Sequence, residues 1–128
     1  MTTSSDLLEL AKRLQQGGSE VELRAAASRA YYALFHFARH FHTLLPEPGN
    51  AAPSGAGGDH VDLAHRLKRP AKNVETRFPE QAAKSKRIGV LLDSVRPTRH
   101  HADYDLATPF HIALADNVIR TAERTFNL

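Results

Sequence analysis

The chain contains no cysteine and no tryptophan, one methionine, and only three tyrosines and six phenylalanines in 128 residues. Without cysteine there are no disulfides, no thiolate nucleophile and no cysteine-ligated zinc or iron–sulfur centre, and the composition fits a reducing compartment. Long apolar runs are lacking too. None approaches the roughly 20 residues that cross a bilayer, and the opening MTTSSDLLEL has neither the basic nor the apolar region of a secretion signal, so a cytoplasmic protein with no membrane partner is expected. A strong charge bias is also missing: seventeen Lys and Arg against fourteen Asp and Glu leave +3, a mild preference for anionic partners. The glycines form no phosphate loop, because Gly58 is followed by Asp59 and His60 where that loop needs Lys and then Ser or Thr.

What remains is helical periodicity with clear punctuation. Ser5 or Asp6 is expected to cap a first helix carrying Leu7, Leu10, Ala11 and Leu14 on one face, which Gly17 and Gly18 end. Ser19 and Glu22 fit a capping box, so a second helix starts there and runs to about Leu45, before Pro46 and Pro48. The Pro/Gly/Ala/Ser-rich stretch of about 46–58 has little to bury and is expected to be a flexible loop. A short helix over about Asp59–Arg69 stops at Pro70. A fourth pattern follows Pro79, with Ile88, Leu91, Leu92 and Val95 inward, and Pro97 is expected to interrupt and bend it. Thr108 and Pro109 read as the cap and first residue of a last helix with Ile112, Ala115, Val118, Ile119, Ala122 and Phe126 inward. No alternating strand pattern or internal repeat competes. The expected fold is all-α: one domain over 1–128, an antiparallel up-and-down bundle of four to five helices.

The second helix is apolar on more than one side. Leu23, Ala27, Ala30, Leu34, Phe37, Phe41 and Leu44 form one seam, while Tyr31, Phe35 and Ala38 lie on another flank. A second copy of the chain would cover that flank, and a homodimer is expected on that ground. A third stripe is polar: Arg29, Tyr32, His36 and His40. His36 and His40 have metal-ligand spacing, but no third ligand can be assigned, and no metal or other cofactor is expected. His60 and His65 add little by themselves. Basic residues gather over Arg66, Lys68, Arg69, Lys72, Arg77, Lys84, Lys86 and Arg87 against Glu75 and Glu80, as suits either a phosphate backbone or a solvated face.

The densest chemistry is the run Arg96-Pro97-Thr98-Arg99-His100-His101-Ala102-Asp103-Tyr104-Asp105. Arg99 and Asp103 are i,i+4 neighbours suited to an ion pair. Imidazole moves protons near neutral pH and guanidinium stabilises charge on a phosphate, the two requirements for cleaving RNA through its 2′-hydroxyl.

Three segments together, Ser28-Arg29-Ala30-Tyr31-Tyr32-Ala33-Leu34-Phe35-His36, His60, and Arg99-His100-His101-Ala102-Asp103-Tyr104-Asp105, resemble the HEPN superfamily in its small prokaryotic branch, over roughly Leu7 to Phe126. The resemblance implies a dimerising helical bundle, often paired with a nucleotidyltransferase antitoxin. It further implies a metal-independent endoribonuclease toxin or RNA-processing subunit, with an arginine and a histidine that have four to six residues between them meeting across the dimer. Arg96 and His101 have that spacing. Carried over, Arg96 would hold the scissile phosphate and His101 would serve proton transfer. Arg29, Tyr32, His36, Arg99, His100, Asp103 and Tyr104 would support the site or bind ligand. In some toxin members a tyrosine near this place is modified with AMP by the partner; Tyr104 stands one residue further on. The alternative is a non-catalytic module of the same kind that binds a nucleotide, RNA or the nucleotidyltransferase.

Overall fold

The structure, a computed structural model, describes residues 1–53 and 57–128. The centre of the expected flexible loop, 54–56, lies outside the described residues. The chain is all-α, with no strand among the described residues. Among the described residues six helices follow one another: α1 Ser4–Gly17, α2 Glu20–Thr43, α3 Gly58–Lys68, α4 Lys72–Arg77, α5 Pro79–Tyr104 and α6 Ile112–Phe126. The sequence suggested four or five. The addition is α4, whose six residues between Pro70 and Pro79 are too few for a 3.6-residue period to register.

The chain divides into two compact units, with the divisions falling inside α2 and α5. The first comprises Met1–His36 and Ser94–Leu128. Its core is Leu8 and Ala11 of α1, Leu23, Ala27, Ala30, Tyr31 and Leu34 of α2, Val95 and Ala102 of α5, and Ala115, Val118, Ile119 and Ala122 of α6. Helices α1 and α6 run antiparallel: Lys12 meets Glu123 at 3.2 Å and Gln15 meets Asp116 at 3.4 Å. Ser28 meets Asp103 and Tyr31 meets Arg99, so α2 and the end of α5 are antiparallel as well. Alanine at 26, 27, 30 and 33, each fully buried, leaves the α2 backbone free of bulky side chains on the sides facing its neighbours.

The second unit, Phe37–Asp93, holds α3, α4 and the adjoining parts of α2 and α5. Leu45, Val74 and Ala82 cluster with Phe41 and Ala71 beside them. The wholly buried Ser85 donates its hydroxyl to the Leu67 carbonyl at 2.7 Å, satisfying one of the carbonyls left over at the end of α3. At Gly89 a Cβ would stand 2.8 Å from the Lys68 side chain and 3.0 Å from the Ala64 carbonyl, so α5 approaches α3 closely there and a larger residue would force its neighbours to shift. Residues 47–50 are tied down: Gly49 is buried, and its carbonyl accepts from Arg66 Nη1 at 2.9 Å.

The ends of the helices show which local signals prevail. Gly18 closes α1 at φ 79°, and Ser19 and Glu22 form the expected box, with Glu22 N–H on Ser19 Oγ at 3.2 Å and Ser19 N–H on Glu22 at 3.3 Å. Three expectations need correction. The cap of α1 is Thr3, and Asp6 is its box partner. Pro97 does not interrupt the fourth pattern: α5 continues for 26 residues to Tyr104. Pro97 is exposed, whereas Leu92, Val95 and Ala102 on either side are buried, and their packing offsets the proline's missing hydrogen bond. The last helix does not start at Thr108–Pro109 but at Ile112, with His111 at the N-cap position and no side-chain cap. Tertiary contacts to Thr108 and Phe110 hold that stretch out of the helix, as described next.

Candidate functional site

Positions on α5 follow from one unbroken helix. At about 100° per residue, Arg96, Arg99, His100 and Asp103 fall on one side, and His101 is turned about 140° from Arg96. The two residues chosen as a catalytic pair therefore diverge within one chain, and their surroundings differ.

His101 belongs to a structural knot. Its Nε2 lies 3.3 Å from the Thr108 carbonyl, and its ring meets Phe110 edge to face at 5.1 Å. Behind it sits a residue that the sequence reading passed over. Arg24 is 9% exposed, and its Nη1 donates to the carbonyls of His101, Ala102 and Asp105 at 3.0, 3.2 and 3.0 Å, while Nη2 donates to that of Thr108. These include the Ala102 carbonyl, left over in the last turn of α5, and two carbonyls beyond the helix, so one guanidinium caps α5 and fixes the turn that follows. Glu20 completes the knot: it pairs with Arg24 at 3.4 Å and accepts the Phe110 N–H at 2.7 Å. That backbone bond, with Arg24 and His111 nearby, holds the Glu20 carboxyl below its usual range. The signal in the sequence was the Glu20/Arg24 spacing of four, which looks like any surface helix pair.

On the other side of α5, most of the remaining candidates come together. Arg99 is the centre. Its guanidinium lies over the rings of Tyr31, Tyr32 and Tyr104 at 5.1, 5.5 and 5.9 Å. Its side chain is 12% exposed, its Nε is buried without a hydrogen-bond partner, and it forms the expected i,i+4 ion pair with Asp103, at 3.8 Å from Nη1 and so too long for a hydrogen bond. Asp103 also accepts from Ser28 Oγ at 3.3 Å. Arg29 lies over Tyr32 at 5.3 Å and reaches Ser28 Oγ at 3.4 Å. Tyr32 is followed along the stripe by His36, 6.3 Å away. At the outer edge His100 packs on Tyr104, 4.9 Å between ring centres, and Tyr104 is 66% exposed. Arg96 is partly exposed with a buried Nε.

Thus Ser28, Arg29, Tyr31, Tyr32, Arg99, His100, Asp103 and Tyr104 form one connected group of cations, aromatics and a single carboxylate. Chemically, such a group can hold an anion: the tyrosine faces stabilise the guanidinium charge, and Nη1, 3.8 Å from its carboxylate, can turn to a phosphate oxygen. No three His, Asp or Glu side chains gather as a metal site among the described residues.

The flank on which a dimer was expected has another explanation. Tyr31, Phe35 and Ala38 are 0, 5 and 0% exposed within the single chain, so they present no apolar surface to a second copy. The seam was misjudged at its far end, where Leu44 is 68% exposed. No described helix is long and apolar enough to cross a membrane. The formal positive excess lies entirely in the second unit, with nine Lys and Arg against six Asp and Glu, whereas the first has eight of each. Compared with family models, curated proteins and solved structures, the chain matches none.

Proposed function

We propose that this chain is a HEPN-type helical module that binds the phosphates of RNA or of a nucleotide on the Arg99 side of α5. The observation that carries the reading is the state of Arg99: a nearly enclosed guanidinium on three tyrosine faces, with a buried unpaired Nε and its carboxylate neighbour 3.8 Å away. A guanidinium kept purely for structure is normally saturated by hydrogen bonds, as Arg24 is in the same unit. Arg99 is held in place by aromatics and one long ion pair, which leaves its terminal nitrogens, not the enclosed Nε, to serve a ligand. Arg29, Arg96 and His100 add cationic or titratable groups around it, and Tyr104 offers an exposed ring for a base.

Binding is favoured over cutting because Arg96 and His101 diverge by about 140° on α5. A ribonuclease working through that pair requires a second copy to bring His101 opposite Arg96, and His101 would have to act from its seat between Thr108 and Phe110.

The test is titration of a fluorescein-labelled single-stranded RNA, and separately of ADP, with wild type, Arg99→Ala, Arg96→Ala and His101→Ala, alongside an RNA cleavage assay of each in EDTA. Binding lost at least tenfold in Arg99→Ala, retained in His101→Ala and without cleavage is the expected pattern. Cleavage that vanishes in both Arg96→Ala and His101→Ala replaces this reading with the ribonuclease. Equal binding by wild type and Arg99→Ala refutes it outright.

A further inference from the structure

The segment after α2 is attached to the second unit through two histidines that serve as hydrogen-bond acceptors. Gly49 donates its backbone N–H to His42 Nε2 at 3.0 Å. Arg69 donates Nε–H to His65 Nε2 at 2.9 Å, and His65 Nδ1 lies 3.1 Å from the Asn50 carbonyl. A guanidinium can only donate, so His65 Nε2 carries no proton, and the ring's proton is on Nδ1, donated to Asn50. A backbone N–H likewise can only donate, so His42 Nε2 is bare. Both bonds require a neutral imidazole. Around them, Arg66 Nη1 donates to the Gly49 carbonyl at 2.9 Å, Asn50 N–H to the Arg69 carbonyl at 2.9 Å, and Asn73 to Glu47 at 2.9 Å. The fit is close: a Cβ on Gly49 would overlap the Arg66 carbonyl, so the backbone lies directly against α3.

Protonation sets donor against donor at both places. At His42 it also puts a positive charge beside Arg66, which Asp62 only partly offsets because Asp62 is already bonded to Arg66 Nε at 2.8 Å. At His65 the new charge faces Arg69 directly. We infer that residues 47–50 form a pH-sensitive latch, held by neutral His42, tied to α3 through His65 and Arg66, and released as acidification from pH 7 to 5 protonates His42 while the helices remain folded. The released state frees the Arg66 Nη1 donor that the Gly49 carbonyl occupies and the Arg69 carbonyl that accepts from Asn50, on a surface that has gained charge.

The sign is consistent. Burial first, then the Arg66 charge, lowers the His42 pKa from the ordinary 6.5. The latched state therefore binds fewer protons, and its stability is full above that ordinary value and is lost as pH falls through the lowered one.

The experiment is amide hydrogen exchange on the full chain at pH 7, 6 and 5, corrected for intrinsic rates, with helical circular dichroism at each pH. Protection at Gly49 and Asn50 is expected to fall by up to about tenfold for each pH unit that acidification carries His42 below its unlatched pKa, with unchanged ellipticity. In His42→Gln, whose amide oxygen accepts without titrating, Gly49 is expected to stay protected at pH 5. Three results overturn the proposal: wild-type protection independent of pH, a fall equally large in a His42→Gln/His65→Gln double variant, or a fall that tracks loss of helix.

Discussion

Arg24→Ala tests whether one guanidinium organises the end of α5. The substitution strips donors from four carbonyls and leaves those of Ala102 and its neighbours in a site where the arginine was 9% exposed. A hydrogen bond from a charged donor contributes about 1.5–3 kcal/mol, but four carbonyls share one cation and water enters the space left, so about two bonds' worth is lost. The stack on Phe110 at 5.4 Å adds about 1 kcal/mol. The pair with Glu20 adds little, because that carboxylate is half exposed. The total, about 4 kcal/mol, is a large share of the roughly 5–15 kcal/mol that holds a domain folded. At about 2 kcal/mol per M of urea, the midpoint falls by about 2 M. All three tyrosines, Tyr31, Tyr32 and Tyr104, belong to the first unit, and there is no tryptophan, so tyrosine emission follows that unit while circular dichroism follows every helix. Arg24→Lys, which keeps the charge but not the fork, is expected between the two. An Arg24→Ala protein within about 1 kcal/mol of wild type by tyrosine emission refutes the cap.

Other substitutions address neighbouring claims. Glu20→Gln is expected to flatten the acid limb of stability: the lowered carboxyl stabilises the fold above its unfolded pKa of about 4.5, and that contribution disappears as pH falls through the folded value, so urea midpoints at pH 6 and 3 should differ less in the variant. Gly49→Ala, which drives a methyl into the Arg66 carbonyl, should cost about 2 kcal/mol or more and expose the Asn50 amide to exchange; an unchanged exchange rate contradicts the close approach. Pro97→Ala is expected to stabilise by about 1–3 kcal/mol, since an exposed interior proline is replaced by the best helix former; destabilisation would mean that Pro97 makes contacts that offset its cost.

What could be read from the sequence was what repeats or what is local. The α2 seam from Leu23 to Leu34, the Ser19–Glu22 box and Gly18 rest on interactions within a few residues, and each is found in the structure. The errors came where distant residues override a local preference. Thr108–Pro109 is a good helix start, yet the Thr108 carbonyl serves Arg24 and the Phe110 N–H serves Glu20, both on α2. Pro97 is a good helix stop, yet buried residues before and after it keep α5 continuous. The Tyr31–Phe35–Ala38 flank looked uncovered because a sequence shows how much apolar surface a helix has, not which neighbours cover it.

The same distinction separates the two arginines that matter most. Arg24 and Arg99 are both largely enclosed, and nothing in their sequence neighbourhoods says which serves structure and which serves a ligand. Saturation distinguishes them. The Arg24 terminal nitrogens meet four carbonyls and one carboxylate, so its removal should be felt as lost stability in the absence of any ligand. Arg99 has three ring faces, a carboxylate at 3.8 Å and an orphaned Nε, so part of its hydrogen-bonding capacity is unused in the free protein. Arg99→Ala should therefore cost less stability than Arg24→Ala, by about 2 kcal/mol, and cost more in RNA or ADP binding. Measured together in urea and by titration, the two variants should exchange rank. If Arg99→Ala is the more destabilised and binding is unaffected, its tyrosine cage is core packing and the phosphate site lies elsewhere.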